Sequence, residues 1–307
     1  MSAAKSLSNL TPLELKGGRM PPSLVVAKPT ITVRQALKIM ATHNITSLPI
    51  QSHDSDAIVN IVNLIDILSY TIKESVADEE HPSKLDSEGV KGLDNGIESV
   101  MTLDTETESY RIFKSDARDE LRGTVKAFTQ GIHRSLVIDY TNEIPPYILT
   151  QTDIIRYVCA HPESLPGIDF DKTVRDFGLI REGREVVVGK PEETALNVYR
   201  RMAEKGLMGI AITDSDNKLI ANLSAADLHG LTYRSIDCLI LPVCEFLQAL
   251  PNPGSALTPF TANPDTPLRN VLQTIVEQHI HRVWIVENER VIDVVTLSDL
   301  IKIFVDV

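Results

Sequence analysis

Among the residues with a side-chain hydroxyl that stand three positions before an aspartate, three recur at equivalent points along the sequence. These pairs are Thr150 with Asp153, Ser224 with Asp227, and Thr296 with Asp299. A carboxylate can accept hydrogen bonds from two adjacent hydroxyl groups of a ligand, and the upstream hydroxyl adds a further polar contact. Two related features are Ser298, which adjoins Asp299, and Asp66, which follows Asn63 instead of a hydroxyl. The alternative for each pair is a helix N-cap that binds no ligand.

Two histidine–arginine pairs stand directly before apolar runs. His133-Arg134 occurs in GIHRSLVIDY, and His281-Arg282 occurs in HIHRVWIVEN. Arginine supplies a planar, permanently charged set of donors, and histidine can donate a hydrogen bond and gain charge beside an anion. The alternative is that each histidine caps a turn while each arginine lies on a solvated face. The duplication favours the anion-binding interpretation.

The elements that must position these residues repeat four times along the chain. Each copy has an amphipathic segment, an apolar run, a turn, a second apolar run and a helix start. The spacing between an apolar residue ahead of the first strand and the aspartate is similar in all four copies. It is 21 positions from Ile45 to Asp66, 21 from Ile132 to Asp153, 20 from Leu207 to Asp227 and 19 from Ile280 to Asp299. One unit of helix, strand, turn, strand and helix therefore recurs.

The fourth copy shows the pattern most clearly. Its first helix is predicted from apolar residues at helical spacing, which are Leu268, Val271, Leu272, Ile275 and Val276. The runs VWIV and VIDVV then predict two strands, joined by a turn at Asn288-Glu289. We expect the apolar face of this helix to pack against another element.

Four copies of strand, turn, strand and [ST]xxD at a helix start resemble cystathionine beta-synthase (CBS) motifs, which pair into Bateman modules. The resemblance covers the chain from about residue 24 to residue 305. GIHRSLVID followed by YILTQTDIIRYV, together with HRVWIVENERVIDVVTLSDLI, is most similar to the gamma subunit of AMP-activated protein kinase and its fungal and plant relatives. The resemblance implies an α/β (α+β) fold in which four CBS motifs form two tandem Bateman modules, packed as a pseudo-symmetric disc.

The repeat and two polar stretches divide the chain into seven segments. We predict an N-terminal tail (1–23), CBS motif 1 (24–75), a polar acidic linker (76–97), CBS motif 2 (98–160), an inter-module linker (161–183), CBS motif 3 (184–235) and CBS motif 4 (236–307). The stretch from Lys73 to Gly96 is rich in Asp, Glu, Ser and Gly and lacks periodicity, so we expect it to be exposed.

The resemblance also implies ligand-binding roles for the residues named above. The residues expected to bind the two hydroxyl groups of a ribose are Asp66, Asp153, Asp227 and Asp299, and their hydroxyl partners are Thr150, Ser224, Thr296 and Ser298. The residues expected to meet at a solvent channel and bind the phosphates of AMP, ADP or ATP are His133, Arg134, His281 and Arg282.

Three positions depart from the gamma pattern. In the first copy, Asn63 replaces the hydroxyl residue and Thr46 stands where a gamma subunit has an arginine; in the third copy, Met208 stands there. These departures leave open whether the first site binds a ligand, and they predict a nucleotide selectivity different from that of the animal kinase subunit.

Composition excludes several classes of function. The net charge of −12 disfavours nucleic acid and anionic membranes as partners, since both are bound through clustered Lys and Arg. Cys159, Cys238 and Cys244 form no CxxC pair and are expected to be reduced. The N-terminus lacks the apolar core of a signal peptide, and no run of about 18 apolar residues occurs, so we expect a cytoplasmic protein that can also be nuclear.

The usual sequence marks of catalysis are missing, so we expect no enzyme and no catalytic cofactor. There is no GxGxxG, Walker loop, GxSxG or HExxH, and His279 with His281 lacks further ligands at metal-binding spacing. The leading hypothesis is a regulatory adenine-nucleotide sensor that engages the catalytic and beta subunits of an AMP-activated or SNF1-type kinase. The alternatives are an interaction protein of the same fold with few or vestigial sites, acting outside the kinase trimer, and a self-associating regulator of another enzyme.

Overall fold

The computed structural model describes residues 5–18, 21–76, 92–101, 112–181, 183–230, 236–250 and 254–305. Within these residues a unit of strand, helix, two strands and helix recurs. Its first strand is parallel to the second, and the second is antiparallel to the third. In the first copy the opening strand is reduced to one parallel bridge between Ala27 and Ile50. The predicted mixed α/β repeat is confirmed.

The first half of the chain holds copies 1 and 2. Copy 1 follows a 3-10 helix (Leu7–Asn9) and α1 (Pro12–Leu15), and consists of α2 (Val33–His43), β1 (Ser47–Gln51), β2 (Ile58–Asn63) and α3 (Leu64–Val76). Copy 2 consists of α4 (Glu98–Met101), β3 (Phe113–Asp116), α5 (Arg122–Thr129), β4 (Arg134–Ile138), β5 (Tyr147–Thr150) and α6 (Gln151–Ala160).

The second half holds copies 3 and 4, after a 3-10 turn at Pro162–Ser164. Copy 3 consists of β6 (Val188–Gly189), α7 (Ala195–Glu204), β7 (Gly209–Thr213), β8 (Leu219–Ser224) and a 3-10 helix (Ala225–Gly230). After a further 3-10 helix (Ile236–Ile240), copy 4 consists of α8 (Val243–Ala249), α9 (Gly254–Leu257), β9 (Thr261–Ala262), α10 (Leu268–Glu277), β10 (Arg282–Glu287), β11 (Arg290–Thr296) and α11 (Leu297–Val305).

The turn predicted at Asn288-Glu289 joins β10 to β11. Both residues have positive φ angles, 50° and 66°, which is the backbone of a two-residue type I′ hairpin turn. The turn places Glu287 opposite Arg290, and a shift in register between Ile285 and Val286 then places Arg282 opposite Thr296. The register matters because it decides which residues stand side by side at the far end of the hairpin.

Helices from the two halves build two main cores. The first core contains apolar residues of copies 1 and 3, together with those of α4, α8 and α9, and the second contains apolar residues of the remaining elements of copies 2 and 4. A smaller third cluster joins the sheets of copies 3 and 4 and is centred on Ala211, Trp284 and Val291. Each half therefore contributes to both main cores.

The apolar face predicted for the first helix of copy 4 is confirmed in α10. Leu268, Val271, Leu272 and Ile275 are at most 2% exposed, in the core that copies 2 and 4 share. Burying a side chain of this size stabilises the fold by about 1.5–3 kcal/mol relative to leaving it in water. These four residues are a main reason why the two halves pack together.

Two segments outside the repeats also enter the second core. Leu7, Leu10 and Leu15 from the predicted N-terminal tail are buried there, and the predicted inter-module linker adds residues such as Val174 and Leu179. Most of the predicted acidic linker, residues 77–91, lies outside the described residues, whereas Leu93 at its end is buried. The division of the chain into seven segments stays a prediction.

In the described part of the chain, no helix is both long enough and apolar enough to cross a bilayer.

Candidate functional site

A cavity of about 430 Å³ lies where copies 2, 3 and 4 converge, and we call it the central cavity. Nine of the twelve predicted site residues line it, namely His133, Arg134, Thr150, Ser224, Asp227, His281, Arg282, Thr296 and Ser298. Copy 1 contributes Thr46. The structure therefore brings together histidine–arginine pairs that are almost 150 residues apart in sequence.

Strand register explains why arginine and hydroxyl lie side by side. Arg134 opens β4 directly opposite Thr150, which ends β5, and the same relation holds between Arg282 and Thr296 in copy 4. At the arginine position, copy 1 has Ser47 opposite Asn63, and copy 3 has Gly209 opposite Ser224.

This register corrects one alignment made from the sequence. Thr46 and Met208 were expected at the arginine position, but each stands one residue earlier, where copies 2 and 4 have histidine. Two residues after Ile45, Ile132, Leu207 and Ile280 the sequence has Ser47, Arg134, Gly209 and Arg282, which is the correspondence that strand pairing fixes directly.

The guanidinium of Arg282 lies against the backbone of copy 3. Its Nη2 donates a hydrogen bond to the carbonyl oxygen of Met208 at 2.8 Å. A Cβ atom on Gly209 would lie only 2.0 Å from Nη1 of Arg282. The absence of a side chain at Gly209 is therefore what allows Arg282 to reach this position.

Both predicted arginines are enclosed by protein. Burial lowers the pKa of Arg282 to about 10, and the nearby carboxylate of Asp227 opposes that shift. Burial also lowers the pKa of Arg134, opposed by Asp66. Because a buried cation is stabilised by a nearby anion, both side chains would gain from an anionic ligand in the cavity.

The two histidines line the cavity and their side chains are exposed to solvent, although neighbouring protein groups stand around each ring. Burial is the main cause that lowers the pKa of His281 to about 4, and Arg282, Arg134 and His133 add to the shift. Burial and then Arg134 lower the pKa of His133. Imidazole at His281 is thus neutral near pH 7, and an anion beside it would favour the charged form.

All four predicted ribose carboxylates cap their own helices. Oδ2 accepts a hydrogen bond from the backbone N–H three residues earlier, at 2.9 Å for Asp66, 2.8 Å for Asp153, 2.7 Å for Asp227 and 2.9 Å for Asp299. The capping hydrogen bond is therefore present in every copy, including the first, where Asn63 accepts from the backbone N–H of Asp66 in return. Capping occupies Oδ2, and Oδ1 is the oxygen that faces other partners.

In copies 2 and 4, Oδ1 of the aspartate lies beside a basic side chain that the sequence did not identify. Nζ of Lys16 is 2.5 Å from Oδ1 of Asp153, and Nη1 of Arg181 is 3.3 Å from Oδ1 of Asp299. Neither aspartate is among the residues that line the central cavity, whereas Asp227 is.

The hydroxyl partners divide into two groups. Thr150 and Thr296 donate their hydroxyl hydrogens to the aspartates of their own copies, at 2.9 and 2.6 Å. Ser298 bonds the side-chain amide of Gln151 instead, which joins the start of α11 to the start of α6 across the two halves. These helix starts line the central cavity, where the positive ends of the helix dipoles favour an anion.

Arg184 is a further cation of the cavity that was missed from the sequence. It comes from the segment before copy 3, and its Nη1 is 3.3 Å from Oδ1 of Asp293, which is fully buried. The main-chain N–H of Arg181 donates to the other oxygen of Asp293. An arginine in a segment without periodicity gives no pattern that could have identified it.

A metal site is not part of this arrangement in the described part of the chain. Its His, Cys, Asp and Glu side chains form no group of three or more that could hold a metal ion. The site is built from groups that donate hydrogen bonds to anions and from carboxylates that accept hydrogen bonds.

Proteins of known sequence and structure resemble this chain. The family model for the CBS domain matches residues 17–73 and 256–306. A crystal structure from Methanocaldococcus jannaschii, of a proposed archaeal homologue of gamma-AMPK, has a TM-score of 0.71 and 18% identity, covering 96% of this chain and 100% of that one. An uncharacterised conserved protein from Pyrococcus horikoshii has a TM-score of 0.51 and 17% identity, covering 93% and 97%. The fold is therefore a mixed α/β fold of CBS domain pairs.

The curated proteins described here as similar in sequence are SDS23 proteins. Protein SDS23 of Eremothecium gossypii is 22% identical over 287 residues, covering 86% of this chain and 57% of the relative. Protein SDS23 of Saccharomyces cerevisiae (strain ATCC 204508 / S288c) is 20% identical over 284 residues, covering 86% and 53%. The chain thus spans slightly more than half the length of these relatives. The resemblance to gamma subunits is supported at the level of fold.

Proposed function

We propose that the chain is a non-catalytic regulatory protein that binds an adenine nucleotide with its phosphates in the central cavity. The charge of the cavity supports this proposal. Its described lining includes Arg134 and Arg282, and also Arg184, which pairs with Asp293, whereas the one carboxylate in that lining is Asp227, although the whole chain carries −12. A cationic cavity inside an acidic protein is a site for a compact anion with several negative charges.

The arrangement also offers a way to distinguish nucleotides. Copies 2 and 4 place their basic pairs on opposite halves of the chain, so a ligand with more phosphates can reach both. AMP and ATP would then bind the two halves with different free energies, and only such a difference can shift a conformational equilibrium. We propose that this shift controls binding to a kinase complex, with the chain in the place of a gamma subunit.

Titration calorimetry with AMP, ADP and ATP tests the binding. We expect Arg282→Gln to weaken AMP binding about 10-fold or more, because it removes charge-assisted hydrogen bonds to phosphate. Arg122→Gln is the matched control, since Arg122 is exposed at the start of α5, and it should bind AMP like the native chain. Adenosine, which lacks phosphate, should bind weakly and be insensitive to Arg282→Gln. Equal AMP affinity in both variants would refute the proposal.

A second candidate function is an interaction protein with few filled sites, acting outside a kinase trimer. Two observations favour it: Asp153 and Asp299 already contact basic side chains, and the curated relatives are SDS23 proteins. Native mass spectrometry separates the candidates, because a sensor retains co-purified adenine nucleotide and a scaffold does not. Co-purification with kinase catalytic and beta subunits then tests the partner.

A further inference from the structure

The ion pairs at Asp153 and Asp299 have the same design. In both, the helix cap uses Oδ2, and the basic group lies at Oδ1, the oxygen through which the carboxylate would accept a hydrogen bond from a ribose. At Asp153, Nη1 of Arg156 also lies 3.7 Å from Oδ1, farther than Nζ of Lys16. The carboxylates are 10% and 13% exposed, so the position of the cation decides whether a ligand can reach them.

The segments that supply the two cations begin with similar turns. Thr11 and Glu14 form a capping box, and Thr173 and Asp176 bond in the same way. A glycine with positive φ follows each turn, but Lys16 stands directly before Gly17 (72°), whereas Arg181 stands three residues after Gly178 (63°), so the turns match and the positions of the cations differ.

The two segments occupy equivalent places in the chain. Each stands before one half of the repeat, and each buries apolar residues in the core of copies 2 and 4, such as Leu15 and Leu179. Two occurrences in equivalent segments indicate a feature of the fold and not a chance surface contact.

We propose that Lys16 and Arg181 are internal competitors that decide which ribose carboxylates accept a ligand. Resting on the proposed nucleotide function, this assigns Asp153 and Asp299 as carboxylates that a ligand can reach only by displacing a cation. A nucleoside with a cis-diol can enter at Asp153 only if it displaces the Lys16 ammonium. The segment that carries Lys16 therefore sets how many nucleotides the chain binds.

Lys16→Met in the full chain tests this directly, because it keeps the aliphatic stem and removes the charge. We expect native mass spectrometry to show one more bound AMP than in the native chain, or calorimetry to show AMP binding at least about 10-fold tighter at one site. Lys5→Met is the matched control: Lys5 lies in the same segment but pairs with Glu14 on the surface, so AMP binding should not change. Lys16→Gln repeats the test with a polar side chain.

Two further experiments locate the site at which Lys16→Met gains AMP binding. Adding Asp153→Asn to Lys16→Met should abolish it, and 2′-deoxy-AMP should show none, because the carboxylate is expected to bind the diol. If Lys16→Met and Lys5→Met bind AMP alike while Arg282→Gln still weakens binding, the inference is wrong and the nucleotide function stands. If neither the native chain nor any variant binds AMP, both are wrong.

Discussion

At the scale of single residues, the central cavity depends on one missing side chain. Gly209 has no Cβ atom, and that space holds the guanidinium of Arg282, which donates to the carbonyl of Met208. The third copy thus lacks an arginine of its own but accommodates the arginine of the fourth. Gly209, which the sequence did not identify, is therefore part of the site.

Gly209→Ala should therefore impair the site without unfolding the chain. The clash involves the end of a flexible side chain, so Arg282 can move away at little cost to the fold, but it then leaves the cavity. We expect AMP affinity to fall about 10-fold, the loss of one charge-assisted hydrogen bond, with a melting temperature close to that of the native chain. Gly123→Ala is the control, because nothing lies within 4 Å of its Cβ position. Unchanged affinity in Gly209→Ala would contradict the role given to this glycine.

The low pKa of His281 predicts how stability depends on pH. A histidine titrates near 6.5 when unfolded and His281 titrates at about 4 when folded, so the folded chain binds fewer protons between these values. The free energy of unfolding must then fall as the pH is lowered from about 6.5 towards about 4. We expect His281→Gln to reduce this loss by about 1 kcal/mol at pH 5, discounted because the imidazole has access to solvent.

Urea unfolding at pH 7 and pH 5 measures this effect. His43→Gln, at the exposed end of α2, provides the comparison and should keep the full pH dependence of the native chain. A loss of stability between pH 7 and pH 5 that is the same in His281→Gln as in His43→Gln would show that the protein groups around His281 do not lower its pKa.

At the scale of elements, hydrophobic periodicity was sufficient to predict the repeat. The face of α10 and the turn at Asn288-Glu289 were both predicted correctly, because helical spacing and turn residues are local signals. Strand register was not, because a shift of one residue leaves the sequence pattern almost unchanged. This is why Thr46 and Met208 were placed at the arginine position.

The unpredicted members of the site share one property. Lys16 lies 137 residues from Asp153 in sequence, and Arg181 and Arg184 lie in a segment without periodicity. Such residues reach the site only because apolar neighbours, including Leu15 and Leu179, anchor their segments in a core. The histidine–arginine pairs could be predicted because they are duplicated; single cations on anchored segments could not.

At the scale of the whole molecule, the packing links the four copies in a chain of contacts. Copy 1 shares a core with copy 3, the sheet of copy 3 contacts Trp284 of copy 4, and copy 4 shares a core with copy 2. Nε1 of Trp284 also donates to the side chain of Asn222 in copy 3 at 3.1 Å. The central cavity lies among these contacts, so a ligand there touches elements from both halves.

This arrangement predicts that a cavity made in copy 1 is felt in copy 4. Met40 is fully buried in α2, within the core of copies 1 and 3, and Trp284 is the single tryptophan of the chain. Met40→Ala should lower the free energy of unfolding by about 2–5 kcal/mol. Because the cores are linked through copy 3, tryptophan fluorescence and far-UV circular dichroism should shift together to the same lower midpoint. Lys38→Ala, on the exposed face of α2, should move neither signal. A fluorescence transition that keeps its native midpoint in Met40→Ala would mean that the copies unfold independently and that ligand binding in the cavity cannot couple them.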